Sequence, residues 1–300
     1  GIWADILKAY ASADIPEGET FGLHDRYAVN TVHRRLAVSA ALCYDKPIVS
    51  NESFTWLRTP RFLETPEMVK RAFDAIVVDG IQMIVNHGFS YSPERAGKPG
   101  WNFYASSMLN QNNTWWRFFP ELSAYMNRVC SLMQGGPAVS EVMVYIPAGD
   151  IWSASPMSEL HMALRVEDYV GKETVNRLQR AGYWFTYVND EALCDRGTLE
   201  DGALKIGKNR YKALLIIGCT RLPVKTAQAI TRMDEAGLAV IACGGLPKES
   251  CGLVGRNENG EAVRRAMASL KNARIVSAGV DGLIAALNEV LEHDLVVGGV

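Results

Sequence analysis

What the chain lacks narrows it first. No apolar run in its 300 residues approaches the ~20 that a bilayer span needs. Neither sign of charge prevails: Lys+Arg 31 stand against Asp+Glu 33, a formal net charge of −2. With no basic field to draw a polyanion, no nucleic-acid partner is expected, and no membrane partner either. None of the six cysteines (43, 130, 194, 219, 243 and 251) forms a Cys-x-x-Cys pair, and the five histidines are scattered, so no zinc ligand set is visible. The thiols read as buried and reduced. Internal repeats, low-complexity tracts and a Gly-x-Gly-x-x-Gly dinucleotide fingerprint are also missing. The chain opens on Gly1 rather than Met, and no signal-peptide pattern follows. It reads as a piece of a longer protein, and a periplasmic or secreted parent would have lost its address with the missing part.

What is present is ordinary for a globular protein, 48% hydrophobic and 21% charged, which excludes disorder. Short apolar runs alternate with amphipathic stretches, an α/β pattern. Thr31 to Tyr44 has helical spacing of Val32, Leu36, Ala40 and Cys43, and Lys46-Pro47 stops it. Pro47 to Ser50 reads as a strand delivering Asn51-Glu52-Ser53. Thr65-Pro66-Glu67 supplies an N-cap, a proline at N1 and an acid in the first turn of a helix to Val78, with Val69, Phe73, Ile76 and Val77 inward. A strand over 80–85 then delivers Asn86-His87-Gly88-Phe89, a loop runs to about Thr114, and a helix covers 115–133.

Gly135-Gly136-Pro137 is the natural linker, dividing the chain into 1–139 and 140–300. Beyond it, strands over 141–146, 183–188, 212–217, 238–243 and 273–276 alternate with helices over 167–181, 223–236, 260–271 and 279–292. That is a doubly wound parallel sheet, flavodoxin-like in size. The first half holds two or three β/α units, where a complete (β/α)8 barrel takes ~200–250 residues. It is either an irregular small domain or the C-terminal part of a barrel, and the arbitrary look of Gly1-Ile2-Trp3 favours the barrel.

In parallel α/β folds reacting groups sit where strands end. Glu52, followed by Phe54 and Trp56, is a carboxylate at a strand exit in partly apolar surroundings, which suits a general base or nucleophile. The alternative is a loop glutamate that caps a helix or pairs with Arg58 or Arg61. His87, beside Asn86, offers a donor or proton shuttle, or else bonds a neighbouring carbonyl. Asp14, Glu17 and Glu19 form a dense set of hard oxygen donors able to hold Ca2+ or grip sugar hydroxyls; the alternative is a solvated acidic turn. Trp101, with Asn102, Phe103 and Tyr104, and Asn113 with Trp115 and Trp116 combine flat rings with amides, a combination that suits a neutral polyol; Trp115 or Trp116 could instead lie in the core. Cys219 and Cys243 follow strands without a nucleophile elbow and read as inert, and the second half reads as an interface or a support.

Ordered motifs resemble those of a known family. They are Tyr10-Ala11-Ser12-Ala13-Asp14 with Pro16-Glu17-Gly18-Glu19, Lys46 through Thr55, His87-Gly88-Phe89-Ser90-Tyr91, Pro99-Gly100-Trp101, and Asn113-Thr114-Trp115-Trp116. Together they resemble the α-L-rhamnosidases of glycoside hydrolase family 106, over roughly residues 1–150; the second half is similar in kind, and also to the flavodoxin-like domain of family 42 β-galactosidases. The resemblance implies that the strands ending at Glu52 and His87 are the seventh and eighth of a (β/α)8 barrel. It implies inverting hydrolysis of a terminal α-L-rhamnosyl linkage in a rhamnose-containing oligosaccharide or glycoside. Glu52 would be the general base, the general acid would come from an earlier strand, and Asn51, Trp56, Asn86, His87, Trp101, Asn113 and Trp115 would bind substrate. It also implies Ca2+ on the sugar's vicinal hydroxyls, with Glu19 as a ligand. Two other readings stay open: a β-galactosidase-like glycosidase and a non-catalytic carbohydrate-binding fragment. Self-association is expected through 140–300, and the isolated chain, with unpaired strand edges, is expected to be sticky.

Overall fold

The computed structural model describes residues 4–21, 32–56, 62–105, 107–136, 138–154 and 162–295. It divides into two units: Tyr10–Ala41 with Lys46–Pro137, and Gly1–Ala9 with Leu42–Asp45 and Ala138–Val300.

After α1 (Ile6–Ala11), the Tyr10–Pro137 unit alternates β1 (Glu17–Phe21), α2 (Val32–Cys43), β2 (Ser50–Thr55), α3 (Pro66–Val78), β3 (Met83–Asn86) and α4 (Phe119–Gln134). Its three strands are parallel and lie side by side in chain order. Right-handed crossovers between consecutive neighbours place the connecting helices on one face of such a sheet. On that face Gly18 meets α2 so closely that a Cβ there would stand 2.9 Å from the Arg34 Cα. Thr20, Asn51 and Ser53 are buried on the same face, and the Asn51 amide donates to Thr20 Oγ1 (2.9 Å) and Ser53 Oγ (2.8 Å). The register Glu17–Ser50–Met83 and Glu19–Glu52–Val85 defines the other face.

Helix α3 forms as its sequence dictates. The Thr65 side chain accepts from Met68 N–H at 3.2 Å, Pro66 occupies the first turn, and Val69, Phe73, Ile76 and Val77 are buried. Its C-cap, Asp79, accepts from Arg34 Nε at 2.8 Å and lies 3.2 Å from Arg35 Nε, with all three side chains almost wholly enclosed. Helix α4 packs on α3 through the edge-on pair Phe73–Tyr125.

Two strand boundaries differ from expectation. β2 begins at Ser50 and β3 at Met83, so Asn51, Glu52 and Asn86 lie within strands rather than after them. Of the acidic stretch read as a possible turn, Glu17 and Glu19 lie in strand β1, and Asp14 precedes it. Glu and Gly have poor β propensity, but pairing with β2 overrides it.

The other unit adds β4 (Val142–Tyr145), α5 (Ala148–Ala154), α6 (Met162–Val170), α7 (Lys172–Arg180), β5 (Phe185–Val188), β6 (Thr198–Glu200), β7 (Ala203–Ile206), β8 (Asn209–Tyr211), β9 (Ala213–Ile217), β10 (Arg221–Leu222), α8 (Val224–Glu235), β11 (Ala239–Cys243), β12 (Glu249–Ser250), α9 (Arg256–Ala268), β13 (Arg274–Val276) and α10 (Val280–Asn288). Its parallel sheet has the order β5-β4-β9-β11-β13, second-first-third-fourth-fifth along the chain. The strand order reverses beside β4, and there buried Asp150 in the first turn of α5 accepts from Thr220 N–H (2.8 Å) and Arg221 N–H (3.0 Å), tying α5 to the segment that runs from β9 into β10.

The helix expected over 167–181 is two helices, broken at Gly171, whose φ of +88° no helix accommodates. The antiparallel meander β6-β7-β8 was not expected. Its Leu204, Ile206 and Tyr211 join the core of Leu214, Ile216 and Val240, each large apolar side chain contributing roughly 1.5–3 kcal/mol. All six cysteines are free, with Cys43, Cys219 and Cys243 buried. Among the described residues no helix is long and apolar enough to cross a membrane.

Candidate active site

Register partners on parallel strands project to one side of the sheet, about 4.8 Å apart. Glu19 of β1 and Glu52 of β2 are such partners, and their carboxyl groups are within hydrogen-bond reach. Thr55 Oγ1 donates to Glu52 Oε1 at 2.9 Å, and Ser50 Oγ donates to Glu17 Oε2 at 2.7 Å. Strict alternation would send Thr55 away from Glu52. The left-handed backbone of Phe54 (φ +71°) breaks it, an unfavourable conformation for a bulky residue.

Burial pushes the Glu19 carboxyl up to about 7, helped by the charge and hydrogen bond of Glu52 and the charge of Glu17. Nearby Tyr10 is pushed up to about 12, chiefly by burial and then by Glu19. These carboxylates are the hard oxygen donors that Ca2+ prefers, and a cation beside them would relieve the repulsion that raises Glu19. Among the described residues no cluster of three or more His, Cys, Asp or Glu side chains converges on one metal position. The donor set therefore fits Ca2+ only as a partial cage, completed by other oxygens.

The carboxyl end of β3 opens into a hollow of about 460 Å³ lined by Asn86, His87, Phe89, Tyr91, Trp101 and Asn102 among others. Phe103 stands edge-on to His87 at 5.3 Å and Tyr91 to Trp101 at 6.5 Å. His87 Nδ1 and Asn102 Oδ1 are buried with no hydrogen-bond partner among the described residues.

Of the residues expected to bind substrate, Asn86, His87 and Trp101 thus come together. Asn51, Trp56 and Asn113 do not: they are 0%, 1% and 4% exposed, enclosed by protein. Asn51 bonds within its sheet, and Trp56 packs edge-on against Phe54. Asn113 Nδ2 donates to Glu64 Oε1 (2.9 Å), and the half-buried Trp115 donates its indole N–H to the Glu64 carbonyl (2.7 Å). Arg58 and Arg61, the alternative partners of Glu52, lie outside the described residues. Glu64 escaped the sequence reading because nothing local distinguishes it from any acid before a helix cap; its partners are 44 to 51 residues away.

A family model described as alpha-L-rhamnosidase, glycoside hydrolase family 106, matches residues 1–297. The chain belongs to this family. No curated protein matches it. Among solved structures, this rhamnosidase-family chain is similar to a rhamnosidase from Novosphingobium sp. PP1Y, with TM-score 0.70 and 18% identity, covering 94% of this chain and 26% of that one. It is also similar to an exo-carrageenase of family 42 from Bacteroides ovatus (TM-score 0.53, 14% identity, 87% of this chain and 33% of that one). A third is a family 42 beta-galactosidase from G. stearothermophilus (TM-score 0.50, 10% identity, 80% and 34%). At these identities the likeness is one of fold, and the chain spans about a quarter of the Novosphingobium rhamnosidase.

Proposed function

We propose that the protein carrying this chain hydrolyses a terminal α-L-rhamnosyl linkage with inversion, in a rhamnose-containing oligosaccharide or glycoside. Glu52 is the general base in this reading, drawing a proton from the attacking water. The observation that carries it is the placement of a half-buried Glu52, held by Thr55, on the sheet face away from the helices and one residue level short of Asn86 at the rim of the hollow. His87 and Asn86 bond sugar hydroxyls, and Trp101 offers a ring face. Acid and base of an inverting hydrolase stand about 6.5–9.5 Å apart. Glu19 is the register partner of Glu52, with its carboxyl within hydrogen-bond reach, which is closer than that spacing, so Glu19 is not assigned the acid's role. Glu19 is instead the residue we assign to Ca2+, with Glu52 beside it. Bound there, the ion supplies a hard positive centre for vicinal hydroxyls.

The reading of the fold as part of a (β/α)8 barrel followed by a flavodoxin-like sheet is supported by two strand orders. Strands in chain order with helices on one face suit a barrel sector, and second-first-third-fourth-fifth is the order of flavodoxin-like sheets. Self-association through 140–300 has in its favour the exposed pair Leu253 and Val254.

The test is a panel of nitrophenyl glycosides on the full-length protein. Cleavage of the α-L-rhamnoside is expected. Cleavage of a galactoside alone would replace this reading with the β-galactosidase one, and sugar binding without any turnover would leave a binding module.

A further inference from the structure

The loop behind the aromatic hollow is held by one carboxylate. Glu64, just before the N-cap of α3, is 3% exposed. Its Oε1 accepts from Met108 N–H at 2.8 Å and from the Asn113 amide at 2.9 Å, while its carbonyl accepts from the Trp115 indole at 2.7 Å. Asn113 also donates to the Met108 carbonyl at 3.0 Å, closing a small ring of hydrogen bonds. The same loop is laced to the wall of the hollow. Gly88 N–H donates to the Ser107 carbonyl (3.3 Å) and Leu109 N–H to the Gly88 carbonyl (3.2 Å). Ser107 Oγ donates to the His87 carbonyl (3.2 Å), and the Asn110 amide donates to the Ser90 carbonyl (3.2 Å). Every residue from 87 to 90 lines the hollow; Glu64 does not.

Resting on the reading that the hollow receives the sugar, we propose that Glu64 is a positioning residue. By fixing the loop from Ser107 to Trp115 it sets where Asn86 and His87 stand, without touching substrate. The backbone N–H of Met108 and one N–H of the Asn113 amide are buried and need an acceptor at one point, and among the described residues Glu64 Oε1 supplies it. Without it the loop settles elsewhere, and its bonds to residues 87–90 move the wall with it.

The experiment compares Glu64→Ala, Glu64→Gln and Asn113→Ala in the full-length protein, with nitrophenyl α-L-rhamnoside as the probe. Misplacement of about 1 Å can lower a rate 100-fold. Glu64→Ala is expected to lower kcat/KM by about that factor, with KM raised. Glu64→Gln keeps an acceptor in the same place, and stays within about threefold of the parent. A role confined to stability would reduce the active fraction, and so the apparent kcat, at unchanged KM. An unchanged KM in folded Glu64→Ala, or a Glu64→Gln as impaired as Glu64→Ala, overturns the proposal. If Glu64→Ala does not fold, Asn113→Ala decides: a fall in kcat/KM of about tenfold or more supports the proposal, and an unchanged value overturns it. Full turnover in Glu52→Gln defeats the reading of the site, and this proposal with it. A dead Glu52→Gln beside an unaffected Glu64→Ala overturns this proposal alone.

Discussion

Glu19 and Glu52 face one another in register on adjacent parallel strands, close enough for their carboxyl groups to share a hydrogen bond. Burial first, and then the charge and hydrogen bond of Glu52, push the Glu19 carboxyl up to about 7. A cation bound beside them would relieve the repulsion between them. Chelation of divalent ions is therefore expected to lower the rate of the full-length protein, and Ca2+ to restore it. In Glu19→Gln the Ca2+ concentration for half-restoration should rise by about tenfold or more, read by titration calorimetry as well as by rate. Full activity in a chelator, with no heat of Ca2+ binding, would remove the ion from the site.

Replacing the carboxylate at Glu52 by an amide leaves its shape but removes its basicity. Glu52→Gln should lower kcat about 10²–10⁴-fold while rhamnose still binds. Calorimetry with the free sugar separates the two: lost binding with the lost rate would make Glu52 a binding group rather than a base.

The Asp79 cluster is a stability element. Its carboxylate lies between Arg34 and Arg35, and removing one partner of a buried ion pair leaves uncompensated charge. Asp79→Ala should destabilise the fold by about 3–5 kcal/mol, read as a shifted urea midpoint. A shift under about 1 kcal/mol would mean that the arginines find water or other partners on relaxation.

Asp190 carries a pH signature. Burial raises its carboxyl above the ordinary aspartate range, against hydrogen bonds from Thr226 (2.6 Å) and Tyr145 (2.8 Å). The folded chain thus keeps that proton to higher pH than the unfolded chain does. Between the two values the folded state binds more protons, so stability falls as pH rises through that window, and the full penalty is present above it. Asp190→Asn keeps an acceptor oxygen and removes the charge. It should raise stability at neutral pH, with the gain vanishing at pH below the ordinary aspartate value. Equal melting shifts at both pH values would show that charge is not the cause.

Local signals were legible in the residues. Thr65-Pro66-Glu67 and the apolar spacing behind it specify α3 from cap to inward face, because capping and periodicity act within a few residues. Four strands of the five-stranded sheet, β4, β5, β9 and β11, could be read for the same reason, since buried parallel strands are nearly continuous apolar runs. β1 could not: Glu17-Gly18-Glu19 becomes a strand only because β2 lies beside it. Glu52, Asn86, His87 and Trp101 could be chosen by chemical type and position along the chain. Burial decided the rest. Asn51, Trp56 and Asn113 carry side chains suited to a sugar, yet the packing of β2 and of the loop around Glu64 encloses them. The sequence by itself determined most of the longer helices, most of the apolar strands and the inventory of reactive groups, because these depend on neighbours a few positions away. Only the tertiary structure decided that Glu19 meets Glu52 across 33 residues and that Glu64 meets Asn113 across 49, because strand register and buried hydrogen bonds join parts of the chain that no local pattern connects.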